Sequence, residues 1–434
     1  MRAATGQDEV TVTSSVAGKT RGPMAVMTTL FFLSGFLAAL NDILIPHLKS
    51  IFDLNYAEAM LVQFSFFSAF LIFAVPSGVL VERAGYKKTI VTGLLTMGSG
   101  ALLFIPAANL PSFAVFMCAL MVLAGGITAL QVSGNPYVSS LGPAHTASSR
   151  LTLTQAFNSL GSTIAPYVGG LLILSSTTVT MEQLRRMPAA ALHAHRISEA
   201  AAVKAPYLGI AIALILLGLL IALYDLPAIK RTAHVRPAGN SSSVWRHRHL
   251  VLGAVGIFVA VGSEVAIGSF LVNYFSSPEI GAITARTAAG YVSLYWAGSM
   301  IGRFSGSFVM RRLPATKVLG TAALIVLALV TTSTLTFGHA AMWSILAVGF
   351  FNSIMFPTIF TMGIAELGPL TGKGSGILMA AAIGGAIVPV LQGLVADRIG
   401  VHHSFVVPAM SYIFIAFYGF NGSIPGRYWG SFKS

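Results

Sequence analysis

Long apolar runs separated by short polar segments repeat along nearly the whole chain. A helix that crosses a bilayer needs about 20 mostly apolar residues. Runs of that kind lie near 24–48, 59–81, 88–108, 112–140, 152–174, 206–225, 250–275, 288–310, 316–337, 339–366, 373–396 and 403–422. The pattern predicts about twelve transmembrane helices. The run 112–140 is longer than a span requires; Asn135-Pro136 is expected to bend it, and tilt absorbs the remainder. Residues 1–23 are polar, carry no cleavable apolar signal region, and are expected to form a disordered cytoplasmic tail.

Composition sharpens this picture. Of 434 residues, 55% are hydrophobic and 9% charged, whereas soluble proteins carry about a quarter charged. The fold class expected is therefore an all-α polytopic membrane protein. A net charge of +13 would suit nucleic acid, but the basic residues are divided among loops, so membrane orientation accounts for them and no nucleic-acid partner is expected. With the N-terminus inside, eighteen Lys and Arg fall in cytoplasmic segments and seven in outer loops, with Arg303 inside a span. Both termini are thus expected in the cytoplasm, and the protein in the cell membrane (a bacterial inner membrane). The single cysteine, Cys118, allows neither an intramolecular disulfide nor a thiolate metal site. Residues 368–374 (GPLTGKG) have neither the spacing nor the Ser/Thr of a phosphate loop. No metal or organic cofactor is expected. The loops are too short for a receptor or catalytic domain, so an enzyme is not expected.

The longest non-apolar cytoplasmic stretch, 226–249, divides the chain into an N-terminal bundle (24–225) and a C-terminal bundle (250–422), with 423–434 a cytoplasmic tail. The outer segment 175–205 is expected to form a cap of short helix. Internal repeats support the division. Gly78-x4-Arg83 recurs as Gly306-x4-Arg311, an offset of 228, and Gly161, Pro166 and Gly170 recur as Gly384, Pro389 and Gly393, an offset of 223. Matching Gly and Pro interruptions in two halves point to a transporter whose site lies between pseudo-symmetric six-helix bundles. Two carboxylates, Asp42 and Glu264, fall inside apolar runs. Each costs roughly 2.5–3.5 kcal/mol to insert, which marks a candidate functional site. Helix rise places Asp42 about 27 Å from Met24, in the outer third of its span.

Gly78-Val-Leu-Val-Glu82-Arg83-Ala-Gly85-Tyr-Lys87-Lys88 resembles the G-x-x-x-D-R-x-G-R-R loop of the major facilitator superfamily, with Glu82 for Asp and two lysines for arginines. Gly78 permits close helix packing, and the carboxylate can hold basic residues or a helix N-terminus of the neighbouring bundle. Leu40-Asn41-Asp42-Ile43-Leu44-Ile45-Pro46, Gly134-Asn135-Pro136-Tyr137, Gln155-Ala-Phe157-Asn158-Ser159-Leu-Gly161, Ile301-Gly302-Arg303-Phe304 and Phe356-Pro357-Thr358-Ile359-Phe360 resemble stretches of the fucose–proton symporter family, which includes glucose/galactose carriers. The resemblance implies the major facilitator fold, proton-coupled hexose import by alternating access, and Asp42 as the proton-coupling carboxylate. The fucose type has a Glu where this chain has Gln131, and Asn residues where it has Ala38 and Ala39. A Gln cannot carry a proton, so the glucose/galactose branch is the better match.

A sugar needs paired donors and acceptors and an apolar or aromatic wall. The candidates are Asn41, Gln131, Asn135, Gln155, Asn158, Asn273 and Asn352, with Tyr295, Trp296 and Phe356 as surfaces. Gln131 and Asn135 are four apart and Gln155 and Asn158 three apart, so each pair shares a helix face. Buried amides also cross-link membrane helices, which is the competing role for each. Glu264 is the candidate second carboxylate, either titrating or paired structurally with Arg303. The partners expected are a hexose, protons and the lipid bilayer, with the proton gradient as driving force and a monomer as the assembly. The alternatives are a uniporter or a carrier of another sugar, such as fucose or an amino sugar, and more distantly a membrane receptor or enzyme.

Overall fold

In the computed structural model of the protein, residues 15–52, 56–109, 112–173, 188, 191, 203–227 and 243–425 are described. The long elements are helices: α1 (Ser15–Phe52), α2 (Tyr56–Ala84), α3 (Tyr86–Asn109), α4 (Phe113–Ser140), α5 (Ala147–Ile173), α6 (Lys204–Leu223), α7 (Arg248–Ser276), α8 (Ala285–Val309), α9 (Ala315–Leu335), α10 (Gly338–Asn352), α11 (Met355–Gly363), α12 (Thr371–Ala380), α13 (Gly384–Ser404) and α14 (Val406–Phe417). They make twelve crossings, because α10 with α11, and α12 with α13, are each one interrupted span. Among the described residues, nine stretches are long and apolar enough to cross a membrane by themselves. The exceptions are α14, which is short, and α5 and α8, whose polar faces line the junction between the bundles.

Two sequence expectations are revised. Helix α1 begins at Ser15, inside the segment expected to be a disordered tail. Backbone hydrogen bonds need no apolar side chains, so a helix runs on beyond its membrane-embedded part. The tenth span is not continuous. Pro357 has no N–H for the carbonyl four residues earlier and crowds it, and the helix breaks between Asn352 and Met355. The cap expected at 175–205, most of the linker 226–249 and the end of the C-terminal tail lie outside the described residues.

Outward-facing surfaces are apolar. On α6, Leu208, Ile212, Leu216, Leu219 and Leu223 follow one another by three or four residues and are exposed, Leu223 by 85%. Such a stripe suits lipid and would be an aggregation hazard in water.

Within each half, small residues bring paired helices into contact. A Cβ on Gly161 of α5 would lie 2.1 Å from the Phe32 carbonyl of α1, and one on Gly384 of α13 would lie 2.0 Å from the Phe258 carbonyl of α7. These are repeat-related glycines meeting repeat-related phenylalanines, so the pseudo-symmetry of the two halves is present in the packing itself.

The bundles meet along two seams. One joins α2 to α12 and α13: a Cβ on Gly78 would lie 2.5 Å from the Gly372 carbonyl, and one on Gly376 would lie 2.7 Å from that of Ala74. The other joins α5 to α8. There Ser149 Oγ donates to Ser307 O at 2.6 Å, and Ser307 Oγ returns a bond to Ser149 O at 2.8 Å. Both closures lie near the end of the molecule that carries the 83–88 loop, where Gly85, at φ +85°, turns α2 sharply into α3.

Candidate substrate and ion site between the bundles

The polar faces expected on α4 and α5 meet in the N-terminal half. Gln131, Asn135 and Gln155 are all buried. Gln155 Nε2 donates to Gln131 Oε1 and to Asn135 Oδ1, each at 3.3 Å. Asn135 in turn reaches the C-terminal half, its Nδ2 lying 3.5 Å from Met379 Sδ. Three amides therefore form one chain at the bundle interface. Long contacts and unused acceptor capacity leave it able to exchange partners with hydroxyl groups.

Asn158, on the same face as Gln155, turns elsewhere. Its Nδ2 donates to Phe31 O of α1 at 2.9 Å, so it tethers α5 to α1.

In the C-terminal half the centre is Arg303 of α8. Its guanidinium lies 3.5 Å from Glu264 Oε1 of α7, both side chains being only about an eighth exposed (13% and 15%). Its Nε donates to Ser353 O at 3.2 Å. Its Nη1 crosses to the other bundle, donating to Gln155 O at 3.3 Å and to Ser159 Oγ. Arg303 thus joins α5, which carries Gln155, to the Glu264 carboxylate of the other bundle. Glu264 and Arg303 neutralise one another, which lowers the cost of placing either charge in a membrane.

Behind this pair lie Tyr295, Asn352 and Tyr412, all buried. Tyr295 sits beside Asn352, yet Tyr295 Oη, Asn352 Oδ1 and Tyr412 Oη have no partner at hydrogen-bonding geometry among the described residues. Buried polar atoms are rarely left so, and these three supply unused hydrogen-bonding capacity next to an ion pair. Neither Tyr412 nor the Ser353 carbonyl was among the sequence candidates. The signal for Ser353 was present, because Pro357 lies four residues after it.

Other candidates are placed as follows. Asn273 is exposed and lies nine residues from Glu264, about half a turn round the helix at 3.6 residues per turn. The structure does not bring it to the cluster. Tyr295 is fully buried against Gly349 and offers no open stacking surface, whereas Trp296 is 41% exposed beside Gly268. Phe356 is half-buried near Phe360. Asn41 and Asp42 lie in α1, and their side chains fall outside the described residues.

The loop motif closes one seam. Glu82 Oε1 accepts from the Lys373 backbone N–H at 3.1 Å, and Oε2 lies 3.2 Å from Lys373 Nζ. The carboxylate therefore caps the first turn of α12 and pairs with its lysine at once. Gly78 lies one turn earlier against Gly372, while Arg83 is exposed.

Comparison with known proteins agrees with this architecture. The chain matches the Major Facilitator Superfamily over residues 27–382. It is 49% identical to a glucose/galactose transporter of Brucella abortus over 397 residues, covering 92% of this chain and 93% of that one. It is 42% identical to a putative glucose/galactose transporter of Helicobacter pylori over 411 residues, 93% and 98% of the two chains. The solved structure of the Escherichia coli fucose:proton symporter superposes with a TM-score of 0.85 at 34% identity, covering 92% of this chain and 98% of that one. Twelve crossings, paired halves and a polar interior between them thus have one family behind them: the chain belongs to the major facilitator superfamily and is a transporter, not an enzyme.

Proposed function

We propose that this protein is a proton-coupled importer of glucose and/or galactose that works by alternating access. The observation that carries the reading is the juxtaposition of the Gln131–Asn135–Gln155 amide chain with the Glu264–Arg303 pair at the bundle interface. Amides offer donor and acceptor together, as sugar hydroxyls require, and a carboxylate in hydrocarbon is suited to carry a proton. The relatives named for glucose/galactose and for fucose with proton support the substrate class and the coupling.

In this reading Gln131, Asn135, Gln155 and Asn352 contact the sugar, Asp42 carries the coupling proton, and Glu264 is the second carboxylate. No cofactor takes part; the proton gradient supplies the work. The protein acts as a monomer in the inner membrane with both termini cytoplasmic. The excess of Lys and Arg on that side supports this orientation, and it makes the closed end the cytoplasmic one.

Counterflow of labelled hexoses into proteoliposomes, repeated with and without an inward proton gradient, tests the proposal. Saturable exchange of glucose or galactose, with accumulation only under the gradient and lost in Asp42→Asn, is expected. Exchange without gradient-driven accumulation would make the protein a uniporter, and absence of hexose exchange would overturn the substrate class.

A further inference from the structure

Residues 20–29 of α1, Leu141 after α4 and the first half of α5 line an open groove of about 520 Å³, with Arg21, Met24, Ala25, Leu141, Arg150 and Phe157 in its lining. It lies where the apolar part of α1 begins, at the end of the molecule that carries the 83–88 loop. That is the depth at which lipid headgroups meet a membrane protein.

Arg150 is fixed there by neutral acceptors. Nε donates to Val138 O at 3.3 Å, Nη1 to Pro143 O at 3.0 Å and Thr146 Oγ1 at 2.5 Å, and Nη2 to Gly142 O at 3.2 Å and to Ser139 O. All five N–H groups are used, yet no acceptor is negative. Arg21 is exposed and lines the groove. Among the described residues, neither arginine has a carboxylate partner. Among the described residues, two positive charges therefore face one groove without a counter-charge, above a wall that includes Met24, Ala25, Leu141 and Phe157.

We infer that this groove binds the headgroup of an anionic phospholipid, with its acyl chain on the apolar wall. Arg21 donates hydrogen bonds to the phosphate, and the immobilised Arg150 contributes charge. A free phosphate would pair with the Arg21 guanidinium in the field of Arg150 and leave the apolar wall uncovered, so the two halves of the groove together select a lipid. Phe157 also meets Phe304 of α8 edge-on at 5.6 Å, which places the occupant against the α5–α8 seam.

Native mass spectrometry of the full chain, released from phosphatidylcholine bilayers doped with phosphatidylglycerol, tests the assignment. The wild type is expected to retain phosphatidylglycerol preferentially. Arg21→Gln is expected to lower that preference about fivefold, the effect of one basic side chain at a charged membrane surface. Ala25→Trp, which fills the groove without changing charge, is expected to lower it as well. Arg311→Gln removes a charge outside the groove and is expected to leave the preference intact. Equal retention by wild type and both groove variants overturns the proposal. So does an equal loss in Arg311→Gln, which would reduce the preference to general surface charge. Glycerol 3-phosphate in excess is expected not to displace the lipid; displacement would assign the groove to a free phosphate ester and overturn the lipid.

Discussion

Arg303 donates from Nε to the carbonyl of Ser353 at 3.2 Å, an oxygen that Pro357, four residues on, leaves without its helical N–H. The corresponding crossing of the other half repeats the device. Pro136 frees Val132 O, and Ser375 Oγ donates to it at 2.6 Å. In each half a proline in the crossing beside the central site exposes one backbone acceptor, and a side chain from another helix takes it.

Pro357→Ala returns a donor to Ser353 O and competes with Arg303. Thermal stability in detergent is expected to rise, since proline is the poorest helix former. Transport is expected to fall about tenfold, the worth of one hydrogen bond from a charged donor. Melting and counterflow measured on the same preparation check both directions.

Arg303→Met leaves Glu264 enclosed without its partner. Loss of roughly 3–5 kcal/mol of stability is expected, with most of it recovered in Arg303→Met/Glu264→Gln, because removing both charges avoids an uncompensated one. Unfolding of the two variants side by side is the measurement.

Gln155 and Asn158 share a face but have different partners, and their alanine variants should separate accordingly. Gln155→Ala is expected to weaken hexose binding about tenfold and, by leaving Gln131 and Asn135 without their donor, to lower stability by about 1 kcal/mol. Asn158→Ala, which cuts the tether to Phe31 O, is expected to lower stability by about 1 kcal/mol and to affect affinity less. Binding isotherms distinguish them, and melting curves check the two stabilities.

Glu82→Gln keeps an acceptor for the Lys373 N–H and loses the ion pair with Lys373. Because Lys373 is 44% exposed, that pair contributes at most about 1 kcal/mol. Glu82→Ala loses the cap on α12 as well and is expected to open the closed end further. Crosslinking yield between cysteines placed across the α2–α12 seam should fall in the order wild type, Gln, Ala.

Gly161→Ala and Gly384→Ala each place a methyl group on a carbonyl of the neighbouring helix. Overpacking of this kind costs about 1–3 kcal/mol, and matched losses of stability are expected in the two halves.

The crossings were legible in the sequence because lipid imposes a simple length and polarity rule on every one of them. The halves were legible because Gly161 and Gly384 must be glycine for the same packing reason. Side-chain spacing correctly grouped Gln131 with Asn135 on α4. It could not say which neighbour each helical face would meet, so it grouped Asn158 with Gln155 although one holds α1 and the other the amide chain. Asn273 misled for a related reason: an amide in an irregular apolar run looks functional until the rotation of its helix is known. Arg303 was seen as a possible partner of Glu264, but its reach to Gln155 depends on the distance between two bundles, which no local pattern encodes.

The seams differ in chemistry although their positions correspond. Reciprocal serine bonds hold α5 to α8, whereas the α2–α12 edge relies partly on a carboxylate paired with a half-exposed lysine. Mobile ions weaken the second kind of attraction and scarcely touch the first. Raising ionic strength should therefore loosen one edge alone, so that the halves part like a door hung on its serine side.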